Sequence, residues 1–546
     1  MFILMLKKYF KDLKKEFIGY NGKRLTKDLM AGITVAAVAL PLALAFGISS
    51  GADAAAGLVT AIISGIIISA FSGASFQISG PTGAMAAILV TLVAKYGIQG
   101  MFITTLIAGA ILFICGVLRL GRLVEYIPIP VITGFTSGIA LVIALGQIDN
   151  LFGTTSKGEK IIEKCASYFK NGFNVNITVM LIGLGAILLM IIWPKKWNEK
   201  FPSSLLAIII ATLITFILKL DVSTVGAIPR KLILDNRISF AGLNLNKFIS
   251  FLSPAFAIAI LGMIESLLCG SSASKMKKEP FDSDRELVSQ GIGNMLIPFF
   301  GGVPATAAIA RTSVAIKSGG QTRLTGIFHA VFLIICMFVL SPVIAYLPLS
   351  ALAGVLIMTA WRMNDWKDIK YYFSKKLKGP ILKYLVTMIA TVVFDLTIAI
   401  VCGVIFSFIL FIYNISKISV ATSEVEPKRL NDCTDSDLSN YNDTIVVYIM
   451  GPMFFANAHK MIRELKKIKG CDKIIFSMRG VPLIDATAIM GLYDFYKEKE
   501  SKNCQIVFCG VQNDVLEKLK QYEIYDKIGE EKFYWSVDKV LLENIE

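Results

Sequence analysis

A chain of 546 residues with 55% hydrophobic content and a mean hydropathy of +0.65 exceeds the ~45–50% apolar share usual for soluble domains. It reads as a polytopic α-helical membrane protein. The formal charge of +15 sits in short connections between apolar runs, which is the mark of cytoplasmic loops and argues against a nucleic-acid partner. With two histidines and nine cysteines lacking any CxxC pair, a multi-histidine metal site is excluded and the thiols read as reduced packing residues. No phosphate loop or nucleophile–base pair is present, which argues against ATP drive and against an enzyme.

In chain order, the segment before residue 29 is basic, with Asp12, Glu16 and Asp28 set against its lysines. It is expected on the cytoplasmic side and does not have the form of a cleaved signal peptide. Apolar runs then predict spans near 29–47, 54–72, 99–118, 124–145, 175–193, 202–218, 254–270, 285–300, 322–341, 344–361, 380–395 and 397–415, with two half-length segments near 81–95 and 304–317. The total is about fourteen passes, seven on either side of the polar stretch 219–250. An odd number per half gives the halves opposite orientation, the inverted-repeat architecture, with a broken segment third in each half.

Alternate connections carry Arg119 and Arg122, Lys195, Lys196 and Lys200, Lys275, Lys277 and Lys278, Lys317 and Arg323, and Arg362 to Lys378. Opposite connections such as 48–53, 300–303 and 342–349 have no Lys or Arg. The longer loops 146–174 and 219–250 do carry them, within the tolerance of the rule. Both termini are therefore expected in the cytoplasm.

Within the first span Pro41 is expected to free the carbonyl of Val38 or a neighbour and break the helix. The first half-segment opens with Ser79-Gly-Pro-Thr-Gly-Ala-Met-Ala-Ala87 and the second with Gly301-Gly-Val-Pro-Ala-Thr-Ala-Ala-Ile-Ala310. Each sets Pro and Gly before small residues, as if a helix began in mid-membrane with its amides exposed. Two such N-termini facing each other would favour an anion. Gln77, Ser79, Thr82, Thr306 and Thr312 offer nearby hydroxyl and amide groups.

Glu265 is a lone carboxylate in an apolar span, where an ionised acid costs at least ~2.5 kcal/mol, so it reads as a proton carrier or a packing acid. Arg311, about two turns into the second broken segment, either completes an anion site, neutralises Glu265 or is structural. Asp395, between the last two spans, is treated as a solvated loop residue. After Tyr413 a polar linker (431–443) leads to strands at 445–449, 473–477 and 505–508 alternating with helices, a small α/β domain. The domains read as a cytoplasmic segment 1–28, a transporter domain 29–418, and a linker with a cytoplasmic domain 419–546.

At these motifs the chain resembles the sulfate permease (SulP) family, bacterial relatives of the eukaryotic sulfate and anion exchangers. The residues that carry the resemblance are Leu40-Pro41, Gly80-Pro81-Thr82-Gly83, Met263-Ile-Glu265-Ser-Leu267 and Gly302 to Thr312. The tail resembles that family's STAS domain through Ile484-Asp485-Ala-Thr487. The resemblance implies a fourteen-span core-and-gate fold, a homodimer in the plasma (inner) membrane, and elevator movement of the core. It implies Phe46, Thr82, Gly83, Ala84, Ala310 and Arg311 at or near a small anion, and Glu265 as the coupling carboxylate for H+ or Na+. Many members have a polar residue where this chain has Ala310. In stand-alone relatives the Ser or Thr two after the Asp is phosphorylated, which maps onto Thr487; helix capping by Asp485 is the plainer role of the motif.

The leading reading is a proton- or sodium-coupled symporter with no organic cofactor, moving sulfate first and a C4-dicarboxylate or bicarbonate as variants. The rivals are a nucleobase-type permease on the same fold and a membrane-anchored regulator whose STAS domain binds a cytosolic partner. Arg311, standing where such permeases carry a second acid, favours an anion.

Overall fold

The computed structural model describes residues 2–122, 127–158, 161–194, 197, 202–241, 245–394, 396–424, 443–468 and 470–542. Lys195, Lys196, Lys200, Asp395 and the linker up to residue 442 lie outside the described residues. The chain divides into two compact units, Met1–Val404 and Ile405–Glu546.

The first unit begins with the amphipathic α1 (Phe2–Glu16) and continues with α2 (Gly22–Ser49) and α3 (Ala54–Phe71). Side chains of Asn21 and Asp53 accept from the amides of Arg24 and Ala56, which satisfies one orphan donor at each helix start. A two-residue strand, β1 (Ser79–Gly80), precedes α4 (Gly83–Val117), which is interrupted at Gly97 with φ 70°. Then follow α5 (Ile129–Gly146), α6 (Ile161–Asn171), α7 (Ile177–Ile192), α8 (Ser203–Ile217), α9 (Leu245–Lys277) and α10 (Ser283–Leu296). A second two-residue strand, β2 (Thr306–Ala307), opens onto α11 (Ile309–Lys317), and α12 (Leu324–Val339), α13 (Leu349–Met363) and α14 (Lys378–Val393) follow; α15 (Leu396–Ile415) begins in this unit and runs past its end at Val404.

Among the described residues, five helical stretches are long and apolar enough to cross a membrane: α2, α3, α4, Ile129–Phe152 and α9. Helices α7, α8, α12 and α13 are shorter apolar ones. Ile177, Leu181, Leu188, Ile191 and Ile192 stand exposed along α7, and Leu213, Ile214 and Ile217 along α8. A bilayer is the solvent that such surfaces fit, since every backbone polar group within a helix is already paired.

Two helical bundles make up the unit. In one, α4 packs on α10 and α9, and α12 packs on α2 and α3; in the other, α5 packs on α14 and α13, and α7 on α8 and α13.

Two expectations are corrected. Helix α2 is not broken at Pro41 but runs through it, and Pro41 is buried. A proline inside a membrane helix is tolerated in this way where nearby groups can take up the freed carbonyl. The second half-segment starts at Ile309 rather than 304, so Arg311 stands in the first turn of α11 and not two turns in. The Pro-containing stretches before both half-helices are extended, and they pair.

In the second unit, β3 (Ser419–Glu424) runs antiparallel to β4 (Thr444–Met450). Helix α16 (Phe455–Leu465), β5 (Lys473–Gly480), α17 (Ala486–Glu500), β6 (Gln505–Cys509), α18 (Asn513–Gln521), β7 (Phe533–Tyr534) and α19 (Val537–Leu542) follow. The sheet order is β3-β4-β5-β6-β7, parallel from β4 onward. Edge strand β3 was missed because Ser-Val-Ala-Thr-Ser-Glu is polar and its surface needs no continuous apolar run.

Candidate functional site

The two Pro-containing stretches cross as a minimal antiparallel ribbon, with Ser79 opposite Ala307 and Gly80 opposite Thr306. Unwound backbone at this depth must find partners, and the neighbouring helices supply them. Asn294 on α10 brackets Ala305, its Oδ1 accepting from the amide at 2.8 Å and its Nδ2 donating to the carbonyl at 2.9 Å. Thr60 on α3 donates to the Val303 carbonyl (2.8 Å), and the Ile78 amide donates to Thr312 Oγ1 (3.0 Å). Gln290 donates to Ser79 Oγ and Gln77 to the Ser266 carbonyl, each at 2.8 Å.

Against this crossing lies Glu265 of α9. Its Oε2 accepts from Thr306 Oγ1 at 2.6 Å and from Thr82 Oγ1 at 2.9 Å, so one carboxylate oxygen ties the approach to α11 to the start of α4. Thr82 is also the N-cap of α4, accepting from the Met85 amide. Glu265 is half-buried, whereas Thr82, Gly83, Ala84 and Thr306 are buried.

Arg311 is 1% exposed and turns behind the ribbon, donating from Nη2 to the Pro81 carbonyl at 3.1 Å. Among the described residues its Nε and Nη1 have no hydrogen-bond partner. Among the described residues it forms no ion pair with Glu265. Gly80 makes room for it: a Cβ there would stand 1.9 Å from Arg311 Nη1. At Gly83 a Cβ would meet Ile143 Cδ1 at 2.3 Å and Phe46 Cε1 at 3.0 Å. This glycine lets α2 and α5, from different bundles, close on the first turn of α4.

A cavity of about 840 Å³ opens between the bundles and reaches Phe46, Gly83, Ala86 and Ile143. Its walls also carry Ser49, Lys95, Gln147, Ser250 and Phe394, at the ends of α2, the first part of α4, α5, α9 and α14. It therefore opens on the face opposite the 72–75, 278–282 and 318–323 connections. Lys95 and Lys164 stand at the walls with Asp149. Phe46 and Gly83 line this cavity; Thr82, Ala84, Glu265, Ala310 and Arg311 do not. Ala310 is exposed on α11 and faces away from the buried Arg311.

Sequence reasoning missed Asn294 and Ser266 as partners of the ribbon. Gln290 and Asn294, one turn apart on α10, were the available signal, since two amides at that spacing mark one polar stripe. Among the described residues no group of three or more His, Cys, Asp or Glu is placed to hold a metal.

The family model described as "Sulfate permease family" matches residues 25–390, and that of the "STAS domain" matches 436–540. The chain belongs to the sulfate permease family. A putative sulfate transporter, YvdB, of Bacillus subtilis is 33% identical over 96% of this chain and 98% of its own length. The bicarbonate transporter BicA of a Picosynechococcus strain is 28% identical over 95% and 94%. Among solved structures, the transmembrane domain of a cyanobacterial BicA has a TM-score of 0.62 at 29% identity, covering 71% of this chain and 98% of that one. The murine anion transporter Slc26a9 has a TM-score of 0.82 at 17% identity, covering 96% and 92%, which shows the shared fold. This sulfate permease family member is thus a multi-pass membrane protein of an anion-transport family rather than an enzyme, with a small C-terminal α/β domain.

In that domain Asp485 caps α17 through Oδ1, accepting from the Ala488 amide at 2.9 Å, and its Oδ2 accepts from the Phe455 amide at 2.8 Å. Thr487 is exposed in the first turn of the same helix.

Proposed function

We propose that the chain is a secondary active transporter of a small anion, with sulfate first and bicarbonate or a C4-dicarboxylate as the variants, coupled to H+ or Na+. One observation carries this: two half-helix starts cross as a ribbon, and one acid, Glu265, receives a hydroxyl from each side at 2.6 and 2.9 Å. First-turn amides have no intrahelical acceptor and carry the positive end of the helix dipole, which suits an oxyanion. A proton or cation taken up at Glu265 alters the bonds that join the two halves, which links cation occupancy to the anion site. The bicarbonate variant draws on the relatives named as bicarbonate transporters.

In this reading, Phe46, Thr82, Gly83, Ala84 and Ala310 surround the anion in one position of the transport cycle. Arg311 adds positive charge from behind the ribbon. The bundle of α2–α4 and α9–α12 moves as the elevator past that of α5, α7, α8 and α13–α15. The helices, with α4 counted as two, supply fourteen passes in a seven-plus-seven repeat. The 29–418 transporter domain and 419–546 STAS region form a homodimer in the plasma membrane, with both termini cytoplasmic. Thr487 is the site through which a kinase or a cytosolic partner would act on the STAS domain.

The test is uptake of labelled sulfate, bicarbonate and fumarate into proteoliposomes under an imposed proton gradient and, separately, a sodium gradient. Accumulation of one anion under one gradient is expected. No uptake of any by folded protein would overturn the reading and favour the regulator.

A further inference from the structure

Helix α1 crosses the ends of the helices it touches instead of continuing them. Lys8 Nζ pairs with Asp282 Oδ2 at 2.6 Å, Asp12 Oδ2 with Arg285 Nη1 at 2.8 Å, and Glu16 Oε2 with Arg323 Nη2 at 2.8 Å. These three residues follow at one-turn spacing, so they form a single stripe. Their partners sit at the N-cap and first turn of α10 and just before α12. Tyr9 adds a bond from its hydroxyl to the Ala70 carbonyl, in the last turn of α3 (2.9 Å). Because the anchors are the ends of three different membrane helices, α1 lies along the face those ends form. The link to α2 is tied too, with Arg24 Nη1 donating to the Ile18 carbonyl at 3.0 Å.

The outward side of α1 is of another kind. Lys7, Lys11, Lys14 and Lys15 are exposed, and among the described residues none of the four has an ion-pair partner. Phe10 on the same helix is 63% exposed, and Ile18, in the turn just after it, 68%. A basic stripe beside an aromatic and aliphatic edge, on a helix lying along the ends of membrane helices, matches the interface of a bilayer bearing negative headgroups.

We propose that α1 is a strap that binds anionic phospholipid through Lys7, Lys11, Lys14 and Lys15 and holds α3, α10 and α12 to the membrane surface. This rests on the chain crossing a membrane and not on which anion it carries. Among the described residues its ion pairs and the Tyr9 bond all fall on α3, α10 and the start of α12, so it belongs to the bundle assigned above as the moving one. Lipid bound to it weights one position of that bundle over the other.

The test is hydrogen–deuterium exchange across residues 2–16 of the full chain in nanodiscs, with phosphatidylcholine alone or mixed with phosphatidylglycerol. Exchange is expected to slow at least fivefold with the anionic lipid, roughly the effect of one lysine near such a surface. The variant K7Q/K11Q/K14Q/K15Q keeps the Lys8, Asp12 and Glu16 pairs and is expected to show no lipid effect, with exchange across 283–296 unchanged as the check on its fold. Equal wild-type exchange in the two lipids would overturn the proposal, whatever the variant does. So would equal protection in phosphatidylcholine on adding inorganic phosphate, because the stripe would then be a site for a free anion. Failure of anion uptake in the proteoliposome assay leaves this readout intact.

Discussion

Asp28 and Glu265 are both carboxylates that the membrane domain encloses, and they are held in opposite ways. Asp28 on α2 is 0% exposed and accepts five hydrogen bonds, from the Gln321 and Thr322 amides and from the hydroxyls of Thr322, Thr325 and Tyr20. Both of its oxygens are occupied by donors from the α11–α12 connection, the first turn of α12 and the chain before α2. Glu265 is half-buried, and both its hydroxyl donors converge on Oε2. A fully satisfied acid locks structure; one with spare acceptor capacity and movable hydroxyl donors is free to exchange partners. Glu286 follows Asp28, accepting from Ser72 Oγ, the Gly73 amide and Gln290 Nε2.

The comparison breaks first at Asp28. Asp28→Ala leaves several buried donors without an acceptor at about 1–3 kcal/mol each. A large fall in melting temperature or loss of the folded peak in size-exclusion chromatography is expected; a wild-type melt would show that the five bonds contribute nothing. Glu265→Gln, by contrast, is expected to melt like wild type and still bind labelled anion. Its gradient-driven accumulation in proteoliposomes falls at least about tenfold, the loss of some 1.4 kcal/mol of coupling. Accumulation that keeps its full pH and sodium dependence would remove Glu265 from coupling.

Arg311→Ala sharpens the contrast, because it removes the bond to the Pro81 carbonyl and the charge behind the ribbon together. A charged hydrogen bond is worth about 1.5–3 kcal/mol, so anion affinity by equilibrium binding is expected to fall about tenfold or more. Unchanged affinity would make Arg311 a purely packing residue. The smallest effects belong to Thr82→Val and Thr306→Val, each about 1 kcal/mol in apparent affinity for the coupling cation. Their double variant is expected to fall short of the sum, since both hydroxyls serve one oxygen; strict additivity would separate them.

Much of this was legible in the chain. Long apolar runs announce membrane helices because the bilayer admits few other backbones, and Gly97 stands where the runs 81–95 and 99–118 were already separate. Pro and Gly before small residues marked both half-helices, and Glu265 drew notice because an acid is rare at that depth. Asp28 did not, because at the border of a basic segment it has the look of a solvated charge; only the α11–α12 connection folding over it makes it a buried hub. Ser419–Glu424 is not legible as a strand for the same reason, as an edge strand is defined by the neighbour it pairs with.

The sequence by itself determined which stretches enter the membrane, where two of them stop short, and which costly side chains go in with them, since transfer free energy and helix propensity are local properties. Only the tertiary structure decided that the two Pro-containing stretches pair as strands, that Thr82 and Thr306 converge on one oxygen of Glu265, and that Arg311 turns behind Gly80 instead of into the cavity. Those outcomes join residues more than forty positions apart, and what selects them is the need of every unwound amide and carbonyl to find a partner away from water.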